Sequence, residues 1–499
     1  MQRKSILFIL ITLLSAALLS AQQPQGDDKP LPGKVQRLNR VPVSHEILKV
    51  KLPHPKEVTL PNGLTVLVLE QHKLPTVSCV LWIKSGALSD PADLPGLASF
   101  TADMLREGTA KRSSAQIASE LDDLGATFTA DAGFGSNLTT IQASGLSESV
   151  DKFLDLMSDI VLNAGFPSTE LDRFKRTEKA RLLQLRSNPG FLARERFSRA
   201  IYGGFPASIQ ATTNDAIQKV TPESLRGFHD KYYLPGNAIL AFAGDITVPQ
   251  ATALATKYFG PWKNSGVAAI TMAELPPPSA AHVYVVDRPG SVQSNILAGG
   301  LTVRRSDPDY LALSLANRIL GGGSAARLFA NLREDKGYTY GAYSRVSSDI
   351  YPGTLIANTE VRNAVTDGSL HELMYEFRRL RDEKVPSAEL EEAKRSIISR
   401  FALSLQSPSE IMNAWLTVKY YGLPADYWDR YADEVAKIDA DTIQRTAKKY
   451  IDLDHLQIVI VGDGKEVREA ASKYGAVSVF DAEGKPMEVN PAGAVSGTK

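Results

Sequence analysis

The stretch GLASFTADMLREGT, Gly96 to Thr109, decides how the rest of the chain is read. Leu97, Phe100, Met104 and Leu105 recur at i, i+3, i+7 and i+8, which predicts a helix of roughly three turns with one buried face. Ser99, Ala102 and Asp103 lie among those apolar positions. Upstream, VTLPNGLTVLVLEQ begins at Val58 and carries a Pro-Asn-Gly turn, then an alternating strand from Leu64 to Leu69. Thr76 to Lys84 predicts a second strand, and the two are expected to form a hairpin that leads into the helix. Downstream, helices are expected from Ser114 to Leu124, Glu148 to Leu162 and Ser168 to Arg186, with strands at Ala126 to Ala130 and Asn137 to Ser144. Asn188-Pro189 breaks the pattern. A further helix runs to Tyr202, Val220 to Tyr233 reads as helical, and AILAFAGD, Ala238 to Asp245, reads as a buried strand.

The order of elements then starts again, because the chain is an internal duplication. STELDRFKRTEKARLLQLRSNP from Ser168 parallels SAELEEAKRSIISRFALSLQSP from Ser387, an offset of 219 residues. The same offset takes Pro189 to Pro408 and Tyr202-Gly203 to Tyr421-Gly422. Asp245 and Asp463 match at an offset of 218, so a single small indel separates the two alignments. The expectation is an α+β protein of two homologous tandem domains, each a mostly antiparallel sheet packed by helices. Residues 56–262 form the first domain and 282–480 the second, joined by a linker over 263–281 that contains Pro276, Pro277 and Pro278. A flexible tail is expected over 481–499.

With 499 residues, 43% of them hydrophobic, the chain is long enough for two domains of ordinary size. Its 56 basic and 56 acidic residues leave no net charge to attract nucleic acid or an anionic membrane. Arg3 and Lys4, the apolar run Ser5 to Leu19 and then Ser20-Ala21 read as a signal peptide over residues 1–21. Residues 22–55 are polar and proline-rich and read as an extended leader. The only cysteine, Cys79, excludes an internal disulfide, and export without disulfides fits a bacterial periplasm, with no stable membrane insertion.

The Gly96 to Thr109 stretch resembles the zinc-binding helix of the pitrilysin/insulinase metallopeptidases, the inverzincins, which carry H-x-x-E-H in this frame. Gly96, Ala98, Phe100, Met104, Leu105, Gly108 and Thr109 keep the frame. Ser99 stands at the first His, Ala102 at the Glu and Asp103 at the second His, so the resemblance implies a degenerate motif. Serine is a poor zinc ligand, alanine cannot act as a base, and one aspartate does not supply three protein ligands. The family's third ligand, a downstream Glu, would fall near Glu178 to Arg181. Counting back from Asn188-Pro189 places Arg181 there. Tandem domains of this kind are also what the family builds, and subunits of mitochondrial processing peptidase and bacterial relatives pair as a clam-like chamber in which one subunit often lacks zinc.

No other metal or nucleophile pattern stands out. The seven histidines are His45, His54, His72, His229, His282, His371 and His455, and no two are three or four apart. His371-Glu372 begins like a metal motif, but Tyr375 occupies the i+4 position and a surface pair is expected. LANRILGGGSAARLFANLREDKGYTYGAYSRV, Leu315 to Val346, holds a glycine turn, Gly321, Gly322 and Gly323, and then Arg333 and Tyr340. In the family such an Arg and Tyr face the zinc from the opposing domain, which implies substrate-assisting roles for Arg333 and Tyr340. A guanidinium offers fixed donors to a carbonyl, and a phenol can hydrogen-bond a developing oxyanion. The glycines would let backbone approach a peptide or the opposing subunit. The leading expectation is a subunit with no metal of its own, inactive alone, that assists peptide hydrolysis in a heterodimer whose zinc-bearing partner supplies the Zn²⁺. The alternative is a catalytically inert peptide-binding or structural scaffold of the cell envelope. An independent enzyme has no constellation to support it.

Overall fold

The computed structural model describes residues 48–263 and 274–488. The expected signal segment, most of the leader, part of the linker and the end of the tail lie outside these residues. Twelve strands form two six-stranded sheets among the described residues. The first holds β1 (Lys56–Thr59), β2 (Thr65–Glu70), β3 (Thr76–Ile83), β4 (Thr127–Asp131), β5 (Thr139–Leu146) and β6 (Ala238–Gly244) in the order β1-β2-β6-β3-β5-β4. The second holds β7 (His282–Asp287), β8 (Gln293–Leu301), β9 (Thr339–Val346), β10 (Thr354–Arg362), β11 (Gln457–Gly462) and β12 (Ala476–Phe480) in the order β12-β7-β11-β8-β10-β9. Five positions repeat between the sheets. The sixth differs: β1 runs antiparallel to β2, whereas β12 runs parallel to β7.

The expected β2–β3 hairpin does not form. β6 lies between them, parallel to β2 and antiparallel to β3. The hairpin at Pro61-Asn62-Gly63 instead joins β1 to β2, and the Asn62 amide donates to the carbonyls of Phe259 and Trp262 at 2.7 and 3.1 Å. All seven residues of β6 are buried, because both faces of the sheet are covered at its centre.

Six helices frame the candidate site and the contact between the halves: α1 (Leu97–Met104), α2 (Ser168–Ser187), α3 (Pro189–Tyr202), α4 (Tyr310–Leu320), α5 (Ser387–Ser404) and α6 (Pro408–Tyr421). The 219-residue offset relates α2 to α5 and carries both bounds of α3 onto those of α6. These last two helices are exchanged between the halves. α6 lies on the first sheet, where Met412, Trp415, Leu416 and Val418 join Leu67, Leu69, Val80, Ile239 and Ala241 in one apolar cluster. α3 lies on the second sheet, against β8 and β11, and Val286, Leu297, Val459 and Val461 merge there with the first-half core. Each sheet thus buries one face under its own helices and the other under a helix of the opposite half. The described residues of both halves belong to one compact unit.

Ordered packing extends beyond the expected limits at both ends. Leu52 is buried against α6, and the Pro53 carbonyl accepts from the Trp415 indole at 3.0 Å. Past β12, Met487 N–H donates to the Val479 carbonyl at 2.9 Å, and Arg196 of α3 rests over the Phe480 ring at 4.2 Å. Cys79 is fully buried in β3 and its thiol is pushed far up by desolvation, which leaves it inert. No helix among the described residues is long and apolar enough to cross a membrane.

Candidate functional site

Gly96 opens α1 with φ +97, a backbone conformation that L side chains rarely adopt. The Asp90 carboxylate accepts from the N–H groups of Gly96 and Ala98 at 2.7 and 2.8 Å, satisfying the first donors of the helix from outside it. Burial pushes Asp90 up to about 7, against these backbone bonds. The helix runs as α-helix to Met104 and tightens into a 3-10 turn over Leu105–Glu107, which completes the expected three turns. Its burial is broader than one stripe: Ala98, Thr101 and Ala102 are buried along with Leu97, Phe100 and Met104. Ala102, where the resemblance implies a catalytic acid, belongs to the apolar core of the first half.

Ser99 and Asp103 remain on the accessible side, one turn apart, and the Ser99 hydroxyl favours the charged form of the Asp103 carboxylate. α2 faces α1, with Phe100 edge-on to Phe174 at 5.6 Å between ring centres. One turn beyond Phe174, Glu178 is 4% exposed and its charge bears on Asp103. Arg181 clasps Glu178 through two bonds, Nη2 to Oε1 at 2.5 Å and Nε to Oε2 at 2.7 Å. Asp103 is pushed up to about 6, first by the protein around it and then by the charges of Glu178 and Asp131, with Arg181 and Ser99 opposing. Its side chain is open to water on one side, so solvent screens each of these charges.

Zinc does not fit these donors. A hydroxyl, a buried methyl group and one carboxylate occupy the motif positions, and the nearby Glu178 carboxylate is already held by a guanidinium. Among the described residues no group of three His, Cys, Asp or Glu side chains could hold a metal. Counting along the chain points to Arg181, but Glu178 and Arg181 lie one turn apart and both bear on Asp103. The Glu-x-x-Arg spacing is legible as an i,i+3 pair; its place beside Asp103 is not. Elsewhere, His229 is bonded to the Val161 carbonyl, 2.7 Å away, as a satisfied core residue. His371 is a surface neighbour of Glu372 at 3.4 Å, and Glu372 also takes Asn331 and Lys336.

In the second half, α4 ends at the glycine turn. A Cβ on Gly321 would stand 2.3 Å from the Ser344 nitrogen of β9, and Ser344 N–H donates to the Gly321 carbonyl at 2.9 Å. Added Cβ atoms on Gly322 and Gly323 would meet Arg318. The close approach these glycines allow is therefore to this chain's own β9 and α4. After the short helix Arg327–Phe329 comes a π-helical turn, Ala330–Asp335, that carries Arg333. The Arg333 guanidinium pairs with Glu334 and lies 5.1 Å from the Phe329 ring centre. Tyr340, the second residue of edge strand β9, is 93% exposed. Among the described residues no hydrogen bond joins Arg333 to Tyr340; both are exposed to solvent, and the Phe329 ring beside Arg333 lies 5.6 Å from that of Tyr343.

Known proteins bear on this arrangement. A family model described as insulinase (peptidase family M16) matches residues 65–212, and one described as the peptidase M16 inactive domain matches residues 219–397. The chain is 24% identical over 426 residues to a Bacillus subtilis protein named "Uncharacterized zinc protease YmxG", covering 82% of this chain and 98% of the relative. A Rickettsia felis protein named as a zinc protease is 26% identical over 403 residues, 78% of this chain and 93% of the relative. Among solved structures, a peptidase M16 inactive domain from Pseudomonas fluorescens superposes with a TM-score of 0.77 at 28% identity, over 82% of this chain and 98% of that one. A Helicobacter pylori protease shares the fold, with a TM-score of 0.75 at 20% identity and coverage of 82% and 100%. The repeated sheets, the degenerate motif on α1 and these matches to both halves make this chain a member of peptidase family M16, with a second half of the family's inactive-domain type.

Proposed function

We propose that this chain is the non-zinc subunit of an exported, periplasmic M16 peptidase heterodimer. Its first half serves as scaffold, and its second half lends Arg333 and Tyr340 to the zinc site of a partner with an intact H-x-x-E-H motif, in a chamber that holds an extended peptide. The observation that carries this reading is the pairing of a first-half site without zinc donors with a phenol that is 93% exposed on edge strand β9, which packs against the π-helical turn that carries an exposed guanidinium. Against a partner's metal-bound substrate Tyr340 would donate to the oxygen on which charge develops, while Arg333 would hold a substrate carbonyl.

The test is peptide hydrolysis by the purified chain alone and with the zinc-bearing subunit. The chain alone cleaves nothing, and Arg333→Ala or Tyr340→Phe lowers the activity of the pair at least tenfold, about 1.4 kcal/mol in the barrier. Full activity of both variants in the pair would remove these two residues from the chemistry. An inert peptide-binding scaffold is the second reading, favoured by the outer edges of β4 and β9, which pair with no further strand among the described residues and could each take an extended peptide. Peptide binding in the absence of any zinc-bearing chain would support it.

A further inference from the structure

The first half of this chain holds a carboxylate that has no part in the proposed chemistry of the pair. Glu178 is 4% exposed, sits beside Asp103, and is met by a two-point guanidinium clasp from its own helix. Burying a carboxylate is unfavourable unless a cation and hydrogen bonds accompany it. A metal-bearing version of the same arrangement would bring its cation from solution; here the cation is covalently part of α2. Arg181 is half-exposed, so its stem reaches in from the rim while its charged end supplies both bonds to the buried acid. Asp131, at the end of edge strand β4, adds a further negative charge that bears on the same place.

We propose that Arg181 is the resident cation of this site: its guanidinium holds the buried Glu178 carboxylate beside Asp103 and closes that carboxylate to divalent metal. The inference concerns this chain alone and stands whether or not the protein pairs with another subunit. It also accounts for how the frame of α1 persists without metal. Arg181 offsets part of the negative charge with which Glu178 repels Asp103 across the contact between α1 and α2.

The experiment rebuilds the donors and asks what blocks them. Ser99→His, Ala102→Glu and Asp103→His are introduced together in the full chain, once with Arg181 and once with Arg181→Met, and Zn²⁺ binding is measured by competition with a chromophoric chelator. The expected result is stoichiometric binding in the Arg181→Met background and at least tenfold weaker binding where Arg181 remains. Equal affinity in both backgrounds, or no binding in either, overturns the proposal. A second measurement needs no metal: thermal unfolding of Arg181→Met against the neutral pair Glu178→Gln with Arg181→Met. The neutral pair is expected to be the more stable of the two, because the acid and its cation leave together. If it melts lower than Arg181→Met, Glu178 does not need a cation and the proposal fails.

Discussion

Replacing Trp415 by alanine tests the exchange of helices between the halves. Trp415 lies on α6, in the second half of the chain, yet it packs on the first sheet, is 5% exposed and lies against the His54 ring at 4.4 Å. Truncating a buried Trp typically costs about 3–5 kcal/mol. The lost bond to the Pro53 carbonyl adds roughly 1 kcal/mol or less, since Pro53 is exposed and water replaces the indole. A loss of about 4 kcal/mol is a large share of the ~5–15 kcal/mol that holds a typical native state. The single cysteine makes the assay specific: Cys79 is buried in β3 of the first sheet, so its labelling by a thiol reagent reports opening of the first half alone. Urea titration of Trp415→Ala should lower the midpoints of circular dichroism and of Cys79 labelling together. A loss below about 1 kcal/mol would refute the packing argument. Cys79 remaining protected at urea concentrations where the second half has unfolded would refute the coupling of the halves.

Two other sites give expectations of the same kind. Gly321→Ala forces a Cβ onto the β9 backbone and should destabilise by about 1–3 kcal/mol, read as a lowered urea midpoint; an unchanged midpoint would mean that the α4–β9 approach is looser than described. Asp349 is pushed up to about 6 by burial, with Tyr202, Tyr351, Tyr420 and Tyr421 around it and the Ile350 N–H opposing. Its folded value lies above the ordinary carboxylate value of about 3.9, so its contribution to stability is complete below about pH 4 and is lost as pH rises through about 6. Asp349→Asn should therefore raise the melting temperature at pH 8 and leave it nearly unchanged at pH 4; equal shifts at both would sink the assignment.

The two-fold repeat was legible because α2 and α5, and α3 and α6, keep matching turn chemistry: Asn188-Pro189 and Ser407-Pro408 open the second helix of each pair. Strand positions were legible from alternation, but strand partners were not. Apolar patterning marks β2 and β3 as strands, but Val66 to Leu69 are all buried because both faces of the sheet are covered, and the pattern says nothing about β6 arriving from far along the chain to lie between them. The exchange of α3 and α6 was invisible for the same reason, although the uninterrupted burial of β6 is its trace in the sequence. At the degenerate motif, residue identity alone ruled out zinc chemistry. The place of the Glu178–Arg181 clasp beside Asp103 required the fold, since it depends on which face of α2 meets α1. Arg333 and Tyr340 were found by motif, and the structure adds their exposure and the π-helical turn that carries Arg333.

The most direct test of the proposed role is an affinity pull-down of the tagged chain from its native envelope fraction, with mass spectrometry of what it retains. The expected result is recovery of an equimolar chain bearing H-x-x-E-H, and peptide hydrolysis by that complex which chelation abolishes. Recovery of the chain alone, with no zinc-bearing M16 subunit at any salt concentration, would contradict the proposed role.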